Sequence, residues 1–201
     1  MKQTAHPDES TAGADGAARA TDTLPLLARA LRFAADKHRD QRRKDAGASP
    51  YINHPIALLA ILSDEAGVRC PNVLCAAVLH DTIEDTETTV EELTAGFGQV
   101  VCDIVLAVSD DKGLSKSERK RRQIQHAAEL CHEAKLVKLA DKIANLRDLV
   151  DSPPRDWDDA RRQAYCEWAR AVIDRLRGTH AELERLFDLV HARCAARFGS
   201  G

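Results

Sequence analysis

The sequence has little of what builds sheets, membrane spans or disulfide scaffolds. Aromatic residues make up 4% of its 201 residues, and no segment alternates β-branched with polar residues, which argues against a β-sandwich or barrel. No apolar stretch approaches the roughly 20 residues needed to cross a bilayer, and no apolar signal core begins the chain. None of the six cysteines forms a Cys-x-x-Cys pair. We therefore expect a cytoplasmic protein with no membrane partner, whose reduced cysteines are small core residues.

Charged residues are abundant, but the two signs nearly balance. They make up 30% of the chain and leave a formal net charge of −3, so the molecule as a whole does not attract nucleic acid. The basic segment SERKRRQ, residues 117–123, has no interleaved aromatics and lies on a predicted helix. We interpret it as a solvated or phosphate-facing surface and expect no nucleic-acid partner. Any anion binding must come from local basic clusters.

Helical spacing of apolar residues begins near Thr23 and continues almost to the end of the chain. Before it, residues 1–22 are rich in Ala, Gly, Ser, Thr and Asp and show no apolar periodicity, so we predict a disordered tail there. Residues 23–198 are long enough for one domain with a substantial core. The pattern predicts a single all-α domain of about eight to ten helices.

Two helix starts and one helix interior are specified most clearly. Thr89 with Glu92, and Ser115 with Glu118, have the spacing of a capping box, which predicts a helix start at both places. A longer helix is predicted by an apolar stripe at positions 136, 139, 140, 143, 146 and 150.

The segment VLHDTIEDT, residues 78–86, places acidic side chains at the end of an apolar helix. If that helix continued, Asp81, Glu84 and Asp85 would share one face and repel one another. Acids at a helix C-terminus also oppose the helix dipole. His80 and Asp81 offer a nitrogen and an oxygen ligand, but two ligands do not hold a divalent ion tightly. A metal site would need further donors from elsewhere in the chain.

Candidate donors occur in two other segments. Asp141 lies in the apolar helix segment KLADKIANLRDL, with Asn145 and Asp148 on the same side. His38 and His54 flank a break that contains glycine and proline, and spacing alone does not say which of them is a ligand. Because His54 directly precedes a proline at a predicted helix start, we expect it to have a structural, capping-type role.

These segments together resemble a known family. The motifs HRDQ, YINHP, LHDTIEDT, DDKGLSKSERK and KLVKLADKIANLRDL occur in this order. Their separations are similar to those of the HD-domain alarmone hydrolases, the hydrolase halves of RelA/SpoT-type enzymes, and above all to the small stand-alone form, the metazoan SpoT homologue type. The resemblance extends from about residue 24 to 197. It implies an HD-type helical fold for residues 23–198.

The resemblance implies a metal site and its ligands. These are His38, His80, Asp81 and Asp141, which supply two imidazoles and two carboxylates. Such a nitrogen and oxygen set suits Mn²⁺, with Fe²⁺ or Zn²⁺ as alternatives, and affinity order does not select manganese. One Mn²⁺ ion is therefore an expectation that rests on the resemblance.

The resemblance also implies roles for other residues. Glu84 and Asp85 position or deprotonate the attacking water, a task suited to a carboxylate beside a metal ion. The residues expected to contact substrate are Arg29 at the guanine base, Arg43 and Lys116 at phosphates, Asn145 and Asp148 at the ribose or base, and Tyr165 over the phosphates.

The expected reaction is hydrolysis of a small molecule, guanosine 3′,5′-bis(diphosphate) or its pentaphosphate relative, at the phosphorus attached to the ribose 3′-oxygen. Two alternatives stay open. One is a different 2′- or 3′-phosphorylated nucleotide such as NADPH, and the other is a catalytically idle alarmone sensor. The intact Glu84–Asp85 pair argues against the sensor, because a binding module has no use for a water-activating carboxylate. The sequence does not specify an oligomeric state.

Overall fold

Helices and the turns between them form the backbone of residues 12–199, the part of the chain that this computed structural model describes. Within that range no β-strand occurs, and Arg42 and Pro50 form an isolated bridge. The predicted all-α class is confirmed. The α-helices are α1 (Ala12–Lys37), α2 (Asn53–Ala60), α3 (Pro71–Leu79), α4 (Thr82–Asp85), α5 (Val90–Phe97), α6 (Gln99–Val108), α7 (Lys116–His126), α8 (His132–Asp151), α9 (Asp159–Asp174) and α10 (Ala181–Phe198).

Helix α1 begins ahead of Thr23, the predicted start of ordered structure. Its first part, residues 12–22, overlaps the predicted disordered tail and is rich in alanine, the residue with the highest intrinsic helix propensity. Composition thus favours a helical backbone here even without an apolar stripe. Residues 1–11 of the predicted tail lie outside the described residues.

Both predicted capping boxes are confirmed at their N-caps. The Thr89 side chain accepts the backbone N–H of Glu92 at 3.1 Å and begins α5, while Ser115 accepts that of Glu118 at 3.2 Å and begins α7. Between α5 and α6 the chain turns at Gly98, whose φ of 87° is strained for any residue with a side chain. These local signals set where helices start and how two of them join.

Helix α8 is the centre of the core. It packs against α2, α3, α6, α9 and α10, and every residue of its predicted apolar stripe is buried. The same helix carries Asp141, Asn145 and Asp148 away from that stripe. The core therefore holds these polar side chains on a rigid support.

The prediction that the cysteines are core residues is correct for four of the six. Cys75, Cys102, Cys166 and Cys194 are buried. The other two, Cys70 and Cys131, are exposed because they are the N-cap residues of α3 and α8, where the chain enters a helix from the surface. No helix in the described range is long and apolar enough to cross a membrane.

Two leucines on α10 test this core. Leu183 is 0% exposed and Leu189 is 54% exposed. Leu183→Ala removes buried methyl groups and should lower the free energy of unfolding by about 2–5 kcal/mol. Leu189→Ala, the same substitution on the same helix, should change it by less than about 0.5 kcal/mol. Urea unfolding followed by circular dichroism measures both, and equal effects would contradict the packing described here.

Candidate active site

The His80–Asp81 pair lies at a break between α3 and α4. Helix α3 ends at Leu79, and α4 begins at Thr82, whose hydroxyl donates to the Leu79 carbonyl at 2.7 Å. The single continuous helix considered from the sequence is therefore not formed. Asp81 has φ −100° and ψ 0°, in the sparsely populated region where many active-site residues lie. Because Glu84 belongs to α4, the expected conflict with the dipole of α3 does not arise.

Two buried histidines each have one occupied ring nitrogen. Nδ1 of His80 lies 2.9 Å from the Ala77 carbonyl oxygen, and Nδ1 of His38 lies 2.6 Å from Oε1 of Gln41. Because a carbonyl oxygen only accepts, Nδ1 carries the hydrogen in both rings and Nε2 presents a lone pair. Both Nε2 atoms are buried, with no hydrogen-bond partner in the described structure. Metal-ligating histidines are oriented in this way.

A third histidine, His54, also faces this region. Its Nε2 lies 3.3 Å from Oδ1 of Asp141, and its side chain is buried. The capping role expected for His54 is wrong, because the N-cap of α2 is Ile52, and that position has no side-chain cap. His54 lies inside the helix instead, where its ring faces α8.

The tightest group of donors combines two predicted ligands with one that was not predicted. Ligand atoms of His54, His80 and Asp81 all lie within 4.8 Å of one another. Nε2 of His80 is 2.9 Å from Oδ2 of Asp81 but forms no hydrogen bond with it. Two donors that face each other in this way can share one cation. Asp141 adjoins the group through its contact with His54.

Tyr51 connects His38 to the same group. Its ring packs against the His38 ring with centroids 4.7 Å apart, and its hydroxyl donates to Oδ2 of Asp81. Burial and the neighbouring Asp81 charge raise the pKa of Tyr51, which keeps the phenol protonated. The structure therefore places His80, Asp81 and Asp141 around the smaller of the two cavities described below, and His38 adjoins them through Tyr51, which holds Asp81.

The carboxylates of Asp81 and Asp141, which are partly exposed, are held in their ionised form. Burial opposes the charge of Asp81, but His80 lowers the pKa of Asp81 below its usual range. Burial also opposes the charge of Asp141, yet Lys142, with Nζ 2.8 Å away, and His54 hold its pKa well below the ordinary value. Carboxylate oxygens beside imidazole nitrogens form a donor set that fits a divalent ion.

Glu84 and Asp85 have different surroundings. Oε2 of Glu84 accepts the backbone N–H of Asp110 at 2.8 Å, and burial raises the pKa of Glu84 despite that hydrogen bond. Asp85 pairs with Lys112, and its carbonyl accepts from Nε2 of Gln41 at 2.5 Å. A carboxylate with a raised pKa is a stronger proton acceptor, which suits the role predicted for Glu84.

Two adjoining cavities open onto these residues. The smaller cavity, of about 240 Å³, is lined by the donor group and by Glu84. The larger cavity, of about 440 Å³, has a volume suited to a nucleotide. The residues that line both cavities are Arg43, Tyr51, His54, Asp85, Asn145 and Tyr165.

Most of the predicted substrate contacts converge on the larger cavity. Arg43, Asn145, Asp148 and Tyr165 all line it. Nη2 of Arg43 lies 2.5 Å from Oδ2 of Asp148 and 3.3 Å from Oδ1 of Asn145, so these side chains form one network. Arg29 is exposed on α1, lines neither cavity and lies near Cys75 instead. Its contact with the base stays a prediction.

Cations gather at the edge of the larger cavity. Lys116 and Arg161 lie over the Trp157 ring, 5.6 and 4.5 Å from its centroid, and Lys44 lines the cavity beside them. Burial lowers the pKa of Lys116, and the charges of Arg161 and Lys44 lower it further. None of these three cations forms an ion pair within the part of the chain described. An anionic ligand would relieve their mutual repulsion.

The sequence carried weak signals for three supporting residues. Gln41 and Tyr51 stand inside the motifs HRDQ and YINHP, but their hydrogen bonds to His38 and Asp81 depend on the fold. Lys142 follows Asp141 directly, where a helix normally separates neighbouring side chains, and the ion pair between them could not be expected from spacing.

The chain belongs to the HD-domain family, because a family model described as HD domain matches residues 30–170. Its curated relatives include the guanosine-3′,5′-bis(diphosphate) 3′-pyrophosphohydrolases MESH1 of Danio rerio and Homo sapiens. They are 53% and 52% identical to it over 159 and 158 residues, which cover 79% of this chain and 88% of each relative.

A solved structure supports the same relationship. It is described as "A metazoan ortholog of SpoT hydrolyzes ppGpp and plays a role in starvation responses". It superposes with a TM-score of 0.81 at 43% identity, over 94% of this chain and 98% of that one. The predicted HD-type fold and the family resemblance are confirmed.

His80 tests whether this group binds a metal ion. His80→Ala removes one imidazole donor. It should weaken Mn²⁺ binding by more than the roughly 10–100-fold that is typical when a residue hydrogen-bonded to a metal ligand is replaced. His126→Ala is the control, because His126 is exposed on α7. Isothermal titration calorimetry measures both affinities. Unchanged binding in His80→Ala would show that the ion, if bound, lies elsewhere.

Proposed function

We propose that the protein hydrolyses guanosine 3′,5′-bis(diphosphate), or its pentaphosphate relative, to GDP or GTP and pyrophosphate. The observation that carries this is the buried Nε2 atom of His80, which has no hydrogen-bond partner and lies with Asp81 and Asp141 in a cavity that adjoins a nucleotide-sized one. The names of the MESH1 relatives support the choice of substrate. Water adds to the phosphorus attached to the ribose 3′-oxygen. The bond from this phosphorus to the 3′-oxygen breaks, and the 3′-oxygen takes up a proton.

We assign one divalent ion, Mn²⁺, to His38, His80, Asp81 and Asp141. Nε2 of His38 and Nε2 of His80 have no hydrogen-bond partner, which supports this set, whereas Nε2 of His54 contacts Asp141 and its unpartnered nitrogen is Nδ1. His54 thereby orients a ligand. When bound, the ion lowers the pKa of a water molecule and neutralises negative charge that develops in the transition state.

The chain's own groups complete the chemistry. Glu84 accepts the proton of the attacking water, and Asp85, fixed by Lys112 and Gln41, orients that water. The remaining contacts are assigned as predicted: Arg43 and Lys116 to phosphates, Asn145 and Asp148 to the ribose or base, Tyr165 over the phosphates and Arg29 to the guanine.

The catalytic unit of this proposal extends over residues 23–198, with residues 1–22 as a tail outside it. The family match at residues 30–170 lies within that range and supports it. A cytoplasmic location belongs to the same proposal, and cell fractionation tests it.

Glu84 provides the decisive test. With Mn²⁺, the wild type should release pyrophosphate from guanosine 3′,5′-bis(diphosphate), and Glu84→Gln should lower kcat by about 10²–10⁴-fold, the usual contribution of a general base. Glu87→Gln, the same substitution at an exposed position of the same segment, should retain activity.

Mn²⁺ binding, measured in parallel by calorimetry, separates the possible outcomes. A Glu84→Gln variant that binds Mn²⁺ and still turns over rapidly excludes Glu84 as the base. A wild type that binds Mn²⁺ and nucleotide but releases no pyrophosphate excludes the enzyme and favours a sensor.

The pH profile of kcat should also report Glu84. Burial raises its pKa, and only the ionised carboxylate accepts a proton, so kcat should rise with pH through this raised pKa and level off above it. In Glu84→Gln the residual rate should lose this acid limb. Steady-state assays at saturating Mn²⁺ measure both profiles, and an identical limb in the variant would assign it to another group.

A further inference from the structure

A buried lysine lies beside the smaller cavity and forms a direct ion pair with no described carboxylate. Lys138 is 7% exposed, and its Nζ donates to the Val108 carbonyl oxygen at 2.8 Å. It forms no ion pair with any described residue, so two of the three N–H donors of its ammonium group have no protein partner. A buried ammonium is unfavourable unless an anion compensates it.

The three cavities show where Lys138 lies along the site. It lines the smaller cavity and also a third one, of about 210 Å³, together with Val108, Asp110 and Gln123. No residue lines both the larger and the third cavity. Lys138 therefore lies at the end of the smaller cavity that is away from the larger one.

That end is where the rest of a 3′-diphosphate must go, if the proposed function holds. With the nucleoside in the larger cavity and the reacting phosphorus beside His80 and Asp81, the second phosphate extends into the remaining part of the smaller cavity. The lining of this cavity carries five carboxylates and three lysine or arginine cations. A bound divalent ion would cancel the excess negative charge of this lining. The charge on the phosphate oxygens must then be neutralised by a cation that has no ion pair already.

Of those three cations, Lys138 is the one without a carboxylate partner. Lys142 pairs with Asp141, and Arg43 pairs with Asp148. The nearby Asp110 accepts a hydrogen bond from Nε2 of Gln123 at 2.8 Å and forms no ion pair with Lys138. Burial and the charge of Lys142 lower the pKa of Lys138, whereas the charges of Asp141, Asp110 and Asp81 raise it. A phosphate in hydrogen-bond contact with the amine would add to the effect of these carboxylates.

We propose that Lys138 binds the terminal phosphate of the 3′-diphosphate and so makes the enzyme prefer a nucleotide 3′-diphosphate to a 3′-monophosphate. The contact is a charge-assisted hydrogen bond to a phosphate oxygen. A monophosphate leaves this end of the cavity empty and the buried amine unmatched, which is how a polar site rejects a ligand that lacks the complementary group.

The experiment compares two substrates in one preparation. Guanosine 3′,5′-bis(diphosphate) and guanosine 5′-diphosphate 3′-monophosphate are assayed at saturating Mn²⁺ for kcat/KM. Lys138→Met should lower kcat/KM about 10- to 100-fold for the diphosphate and leave it within about twofold for the monophosphate. Lys138→Arg, which keeps the charge, should retain part of the preference. Lys135→Met, one turn earlier and lining none of the cavities, is the matched control.

Each result decides between a phosphate contact and a structural role. An equal loss on both substrates in Lys138→Met and Lys138→Arg overturns the proposal. If Lys138→Met does not fold, product inhibition at fixed free Mn²⁺ replaces it. Pyrophosphate should then inhibit the wild type more strongly than orthophosphate, with a smaller difference in Lys138→Arg, and an unchanged difference overturns the proposal. A wild type that hydrolyses neither nucleotide sinks the proposed function itself, whereas turnover with an unchanged substrate ratio sinks only this inference.

Discussion

The electrostatic balance around two carboxylates governs this site. Asp81 lies in the break after α3 and Asp141 lies on α8. Burial raises the pKa of both carboxylates and Asp141 raises that of Asp81 further, but His80 offsets these effects at Asp81, and Lys142 and His54 offset burial at Asp141. Helix α3 packs on α8, so the hydrophobic contacts that build the core also force these like charges together. Removing one partner from such a buried set leaves an uncompensated charge and costs about 3–5 kcal/mol. The packing of the core therefore brings together two negative charges, and these charges need a nearby cation.

The break between α3 and α4 separates the proposed metal ligands from the proposed base. If the helix had continued, Asp81, Glu84 and Asp85 would have shared a face and repelled one another. The turn at His80 and Asp81 instead keeps the ligand pair at the end of a rigid apolar helix, whereas Glu84 is held by the backbone of Asp110, 26 residues away in sequence. A metal ligand must stay ionised and a base must bind a proton, and the two environments meet these opposite needs.

The sequence predicted those features that local interactions determine, namely helix starts and the buried face of a helix. The capping boxes at Thr89 and Ser115 and the apolar stripe of α8 depend on residues three or four apart, and all were confirmed. The break after Leu79 was missed because no glycine or proline marks it, and a threonine hydroxyl that bonds to the backbone ends the helix instead. The contact between His54 and Asp141 joins distant segments, and only the packed fold determines it.

The cations around the site differ in what they are able to do. Arg43 is already paired with Asp148, so a phosphate that binds it must compete with a carboxylate, and its first effect is to hold Asn145 and Asp148 in place. Lys116 has cations as neighbours, and Lys138 has only a backbone carbonyl. The binding of an anion is more favourable at these two lysines than at Arg43, because no existing ion pair has to be broken. Unpaired positive charge thus lies at both ends of the two-cavity site, with the paired network and the ion-binding group between them.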